Sequence, residues 1–189
     1  MNLQESLKKF AHSFGRKGRD IGNIILQDNN DFVDTDNLDA FYQILKFDKI
    51  LTVGGELFIN IYPLINLDRA QEGWYKIKNN NLWIEDNVKW NKDWVVFANR
   101  NDDAIYFNLK DNAIYGSINK HQTYKLSNSL SVFFQVLSEA MVLEDQKYDF
   151  ETFDEDEETL PAFLDDIYAI VLKYNDEEAS NGFMSFFFE

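Results

Sequence analysis

The sequence predicts an α+β fold: a twisted antiparallel β-sheet, built as a meander, with helices packed on it. Three observations carry that reading. Residues 94–120, WVVFANRNDDAIYFNLKDNAIYGSINK, alternate strand formers with polar residues and are interrupted by Asn/Asp-rich turns. SLSVFFQVLSEAM (129–141) and LPAFLDDIYAIVLKYN (160–175) instead repeat their apolar residues at helical spacing. Near the start, Leu3, Leu7, Phe10 and Phe14 recur at the spacing of one apolar helix face, with Lys8 and Lys9 beside it.

In chain order, the first helix covers residues 2–14 and gives way to GRKGRD, a turn with exposed charge at Arg16, Lys17 and Arg19. QDNNDFVDTDN (27–37) is a polar loop. Its acids miss the spacing of a calcium loop and lack its glycine. Asp36 or Asn37 caps a helix starting near Leu38, since a short polar side chain can accept from the orphan N–H groups there. Leu38, Phe41, Tyr42, Leu45 and Ile50 form its buried stripe, and Gly54-Gly55 stops it. A strand follows from Leu57 to Tyr62, ending at Pro63, then a short helix or loop over 68–75.

The Trp-rich segment LWIEDNVKWNKDW leads into the meander. Trp74, Trp83, Trp90 and Trp94 read first as core and rim packing, with a ligand cage as the other possibility. Trp94–Ala98 is a strand and Asn99–Asp103 a turn. Ile105, Phe107 and Leu109 share one strand face. Lys110-Asp111-Asn112 closes a loop into the third strand, 113–118. Leu130, Phe133, Phe134, Leu137 and Met141 then pack a helix on the sheet, capped by Ser127 or Ser129. An acidic stretch, DFETFDEDEETLP, precedes a last helix carrying Leu160, Phe163, Leu164, Ile167 and Val171. GFMSFFFE either docks as an edge strand or is a contact surface, which leaves a monomer or a homodimer open. The expected organisation is one α+β domain over 1–143, an acidic linker over 144–159, and a helical extension over 160–189 packed on the same domain.

Composition narrows the function. At 189 residues, 45% of them hydrophobic and 17 of them Phe, the chain can bury one sizeable core. It has no cysteine, so disulfides, thiolate zinc sites and Cys nucleophiles are excluded. No leader-like or bilayer-spanning apolar run is visible. A cytoplasmic protein with no membrane partner is the expectation.

The charge of −15 is uneven. Residues 144–189 hold 15 acids against 2 bases, whereas 1–143 hold 18 against 16. Such a field repels nucleic acid and attracts basic partners, or else serves solubility alone. The candidate contact residues are Asp102 and Asp103 in the meander and Asp154, Glu155, Asp156, Glu157 and Glu158 in the acidic stretch. All are expected in exposed loops, where carboxylates keep ordinary pKa values.

Catalytic chemistry finds little support. His12 and His121 are the only imidazoles, one on the first helix and one in a loop. That signals neither a metal cluster nor a Ser-His-Asp arrangement. Gly15, Gly18 and Gly22 do not follow a strand, so no phosphate loop is indicated. No enzyme activity, cofactor or metal is expected. A carboxylate pair acting on a sugar or nucleotide would need two acids in one pocket, one of them perturbed.

The order of features resembles the SUKH superfamily. DNLDAFYQILKFDKI runs into Gly54-Gly55. A strand ending in YPL, a Trp-bearing segment, "WVVFA", an acidic turn, "AIYFNL", "AIYGSI" and a Ser-Leu-x-x-Phe-Phe helix follow, over roughly residues 36–141. The Leu-Pro usual at the start of the first matching helix is absent, and the acidic extension exceeds the family core. The resemblance implies a SUKH-like sheet with packed helices. It also implies an immunity protein that binds and neutralises a bacterial toxin, a basic nuclease or deaminase domain, by direct protein–protein contact. The alternative is an intracellular scaffold or regulator of the same fold.

Overall fold

The structure, a computed structural model, describes residues 2–14, 24–27 and 35–189. GRKGRD, and all of the 27–37 loop except Gln27 and Thr35–Asn37, lie outside the described residues. The described fold is α+β. Helix α1 (Leu3–Phe14) is followed by β1 (Ile25–Leu26), α2 (Leu38–Ile44), β2 (Leu45–Lys46), β3 (Leu51–Val53) and β4 (Ile59–Ile61). A 3-10 turn (Leu64–Asn66) runs into the short α3 (Leu67–Ala70), then β5 (Lys76–Asn79) and β6 (Leu82–Glu85). The meander is β7 (Trp94–Arg100), β8 (Asp103–Asn108), β9 (Ile114–Ile118) and β10 (Gln122–Ser127). Helices α4 (Leu130–Gln146), α5 (Pro161–Tyr174) and α6 (Glu177–Phe188) complete it.

The main sheet is six-stranded and antiparallel, in the order β10-β9-β8-β7-β4-β3. The meander thus has four strands rather than three, and β4 and β3 extend it at the β7 side. Alternation sorts the side chains between two faces. Phe97, Ile105, Phe107 and Ile114 point into the core under the helices, while Val96, Ala104 and Tyr106 belong to a second cluster on the other side. Ring packing ties the helices together: Phe10 of α1 meets Phe134 of α4 edge-on at 4.8 Å, and Phe134 stacks on Phe41 of α2 at 5.0 Å. Ser13 and Ser138 share a hydrogen bond of 2.7 Å within that interface, so neither hydroxyl is left unsatisfied.

Several expectations are corrected. The helix beginning at Leu38 stops at Ile44, and Leu51–Val53 is a strand, so Gly54-Gly55 joins β3 to β4 instead of ending a helix. Ile50 is accordingly exposed. Leu109 lies past the end of β8 and is exposed, where Ile105 and Phe107 are buried. Both candidate caps near residue 36 are used, but for different helices. Asn37 accepts from the Ala40 N–H of α2, while Asp36 accepts from the Ser131 N–H at the start of α4, beside the Ser129 cap.

The C-terminal residues form no edge strand. Ala179, Phe183, Phe186 and Phe187 recur at helical spacing behind the Asp176 cap, and α6 lays them on the core. Gly182 permits this docking, because a Cβ there would lie 2.3 Å from the Lys125 carbonyl of β10. Gly116 of β9 likewise makes room for the Phe186 ring. Phe163, Ile167 and Val171 of α5 join the same core, and α4 runs through Gln146, so the acidic segment begins inside a helix.

Candidate functional site

Antiparallel pairing gathers three connections at one end of the sheet. The registers Asn60↔Asn99, Arg100↔Asp103, Ala104↔Ser117 and Gln122↔Ile118 bring together the β3–β4 loop, the β7–β8 turn and the β9–β10 turn. Asn101 takes a left-handed conformation in the second of these, as do Asn119 and Lys120 in the third, which is the geometry tight hairpins require.

Asp102 stands at the turn tip and is exposed. Asp103 is not a loop residue as expected. It opens β8 and is half-buried, and burial pushes its carboxyl above the usual range, partly offset by Arg100 and reinforced by Asp102. Arg100 organises this corner. Its guanidinium donates to the carbonyls of Phe186 and Phe187 at the end of α6 and lies over the Phe187 ring, with Asp103 and Glu56 favouring its charge. Glu56, in the β3–β4 loop, is raised by burial and by the nearby Glu144. It is lowered by the Thr152 hydroxyl, which donates to it, and by Arg100. Beneath it, buried Glu144 accepts from the Glu56 N–H at 3.0 Å.

Thr152 connects this corner to the other expected contact residues. Leu160 N–H donates to the Thr152 carbonyl, and Phe153 pairs with Thr159, which closes the loop between them. Asp154 accepts from the N–H groups of Asp156 and Glu158. Asp154, Glu155, Asp156, Glu157 and Glu158 are all exposed, on a defined turn rather than an extended linker. Through Thr152, Glu56 and Arg100, the structure joins this run to Asp102 and Asp103.

Beside the corner, on the sheet face opposite α1, α4 and α6 and next to the short α3, lies a cavity of about 470 Å³. Tyr62, Glu72, Trp74, Asn99, Asp102 and Lys120 contribute to its wall. A second cavity, of about 370 Å³, shares Tyr62, Glu72 and Trp74 with it and adds Ile50 and Arg69. An aromatic column supports the cavity: Trp74 packs on Trp90 at 5.0 Å, Trp90 on Trp94 at 5.2 Å, and Trp94 and Tyr115 stack against Tyr106. Three of the four tryptophans are therefore packing residues. Trp83 is exposed on the β5–β6 hairpin, under the ammonium of Lys78. Gln71 fastens the segment before Trp74 to the sheet, exchanging two hydrogen bonds with the Val96 backbone where β7 bulges.

Lys120 fixes the floor of this face. Its ammonium donates to the Trp74 carbonyl at 2.6 Å and to buried Asp86 at 2.7 Å, and this contact holds the Asp86 carboxyl below its ordinary range. The Oδ1 of Asn99 is buried and receives no hydrogen bond, while its Nδ2 donates to the Asn101 carbonyl. The carboxyls that burial pushes upward, Glu56 and Asp103, are not among the cavity's lining residues. His12 sits on α1 facing the Lys8 carbonyl, and His121 is exposed in the β9–β10 turn. Among the described residues, no group of three His, Cys, Asp or Glu is placed to hold a metal ion, and no helix is long and apolar enough to cross a membrane.

Sequence reasoning reached Asp102, Asp103 and the 154–158 run but not Arg100, Glu56, Glu144, Lys120 or Asp86. The only local signal was Gly54-Gly55 before Glu56, which reads equally as a helix stop. Comparison with protein-family models, with curated proteins and with solved structures finds no match in any of the three. Fold and site together define an acidic α+β protein with one sheet face covered by the long helices and the other, beside the short α3, carrying an aromatic, groove-bearing surface.

Proposed function

We propose that this chain is a cytoplasmic immunity protein of SUKH type, which neutralises a basic toxin domain by covering it. The observation that carries the reading is the acidic corner. Asp103 and Glu56 flank a single arginine, with Asp102 next to Asp103 and Glu144 next to Glu56, and the two that flank it are charged only against the opposition of burial. Like charges held close and partly out of water weaken a fold, so their concentration supports a role in meeting a cationic surface. The turn of Asp154 to Glu158 widens the same negative field. Aromatic and backbone groups of the adjoining groove supply desolvated contacts, and charge supplies speed of encounter and discrimination between partners.

The test is co-expression with the toxin encoded next to this gene, followed by affinity capture. The reading expects growth to be rescued and a stable complex to be recovered. Unrelieved toxicity, or a neighbouring product with no toxicity, contradicts it.

A further inference from the structure

We propose that the cavity between Trp74 and Asp102 is a socket for one arginine side chain of the protein partner. The inference deepens the toxin-binding reading and rests on it for the partner's identity, but its chemistry stands on the cavity alone. Asp102 and Glu72 bring two carboxylates to the wall. Lys120 is also there, but its ammonium is committed to Asp86 and to the Trp74 carbonyl. The cavity is therefore negative, which excludes phosphate-bearing ligands and favours a cation.

Arginine suits the wall better than lysine. A guanidinium is planar, stacks on an indole, and presents several N–H donors in a fixed fork that can reach more than one acceptor at once. Trp74 offers the indole, and Asp102 and Glu72 offer the charged acceptors. Tyr62 offers a phenol that burial and the Asp102 charge keep protonated. The second cavity, which shares Tyr62, Glu72 and Trp74 with the first, carries Arg69. That cation directs the incoming arginine to the first cavity and leaves the second for a neutral or acidic neighbour in the partner's chain.

The experiment titrates the full-length protein with N-acetyl-L-arginine amide and, separately, with N-acetyl-L-citrulline amide, which has nearly the same shape and no charge. Binding is followed through the Trp74 indole N–H and the Lys120 amide in two-dimensional NMR. The arginine probe is expected to move both resonances and to bind at least roughly fivefold more tightly than citrulline. Asp102→Asn and Glu72→Gln are each expected to weaken it roughly three- to fivefold, with Asp165→Asn on exposed α5 as the unchanged control. Equal binding of the two probes, shifts confined to other surfaces, or no shift at tens of millimolar overturns the proposal. If the probe binds as expected and no toxin is neutralised, the socket stands and the immunity reading fails. If toxin is neutralised equally well by the Asp102→Asn/Glu72→Gln double variant, the socket fails and the immunity reading stands.

Discussion

The carboxylate of Glu144 occupies the space a side chain on Gly55 would need: a Cβ built there would lie 2.2 Å from Oε1. Gly55 also has a φ of +77°, a conformation that L side chains rarely adopt, whereas a Cβ on Gly54 would meet nothing within 4 Å. Gly55→Ala must therefore strain the backbone and displace a buried carboxylate from the Glu56 N–H. A loss of roughly 2–4 kcal/mol is expected in urea unfolding, against roughly 0.5 kcal/mol or less for Gly54→Ala.

Arg100→Ala tests the corner's electrostatics. It removes the cap on α6 and leaves Glu56 and Asp103 without their counter-charge, for an expected cost of roughly 2–4 kcal/mol at neutral pH. The pH dependence has a definite sign. Both carboxyls already titrate above their ordinary range, and losing Arg100 raises them further, so their charged forms oppose folding above the folded-state pKa. The penalty should shrink as pH falls through that region toward the ordinary carboxylate range. A penalty that is flat or grows over that interval contradicts the assignment.

Lys120 and Asp86 make the opposite kind of pair. The Asp86 carboxyl is held low, so its contribution is present above the ordinary Asp value and lost as pH falls below it. Lys120→Met leaves Asp86 buried without its partner and loosens Trp74. A fall in Tm of roughly 5 °C or more is expected at pH 7, with partial recovery on adding Asp86→Asn.

How much could be read from the chain follows from how local each signal is. Strands β7 to β9 and helix α4 were legible because alternation or helical spacing runs through them uninterrupted, with Ser129 marking the start of α4. Leu51–Val53 is too short to show a period. Asn80 and Asn81, both left-handed, make the β5–β6 hairpin, a turn signal hidden among the tryptophans. GFMSFFFE is apolar nearly throughout, so eight residues could not separate strand from helix; the cap at Asp176 and the close approach at Gly182 decide it. The acidic corner and the cavity draw on residues 56, 62, 72–74, 99–103, 120, 144 and 152. Only the fold brings these together, and no spacing along the chain encodes them.

The position of α5 and α6 changes what a truncation can report. Removing residues 144–189 strips Phe163, Ile167, Val171, Phe183 and Phe187 from the core, so the shortened chain is expected not to fold, as seen by loss of cooperative thermal unfolding. Phe187→Ala alone should cost roughly 3–5 kcal/mol. Charge is better removed in place. Asp154 is left intact, because it caps its own turn, and Glu155, Asp156, Glu157 and Glu158 are changed to Gln or Asn. This set should leave Tm within roughly 2 °C of the parent.

The central claim is that the acidic corner and its neighbouring turn capture a basic toxin. The most direct measurement is the association rate constant with the toxin from the adjacent gene. It should be taken at low and high salt, for the parent and for a variant carrying Asp102→Asn, Glu155→Gln, Asp156→Asn, Glu157→Gln and Glu158→Gln. The account predicts a roughly tenfold or larger fall in association rate at low salt, a flattened salt dependence and a much smaller change in dissociation. An association rate equal to the parent's, with the same salt dependence, contradicts it.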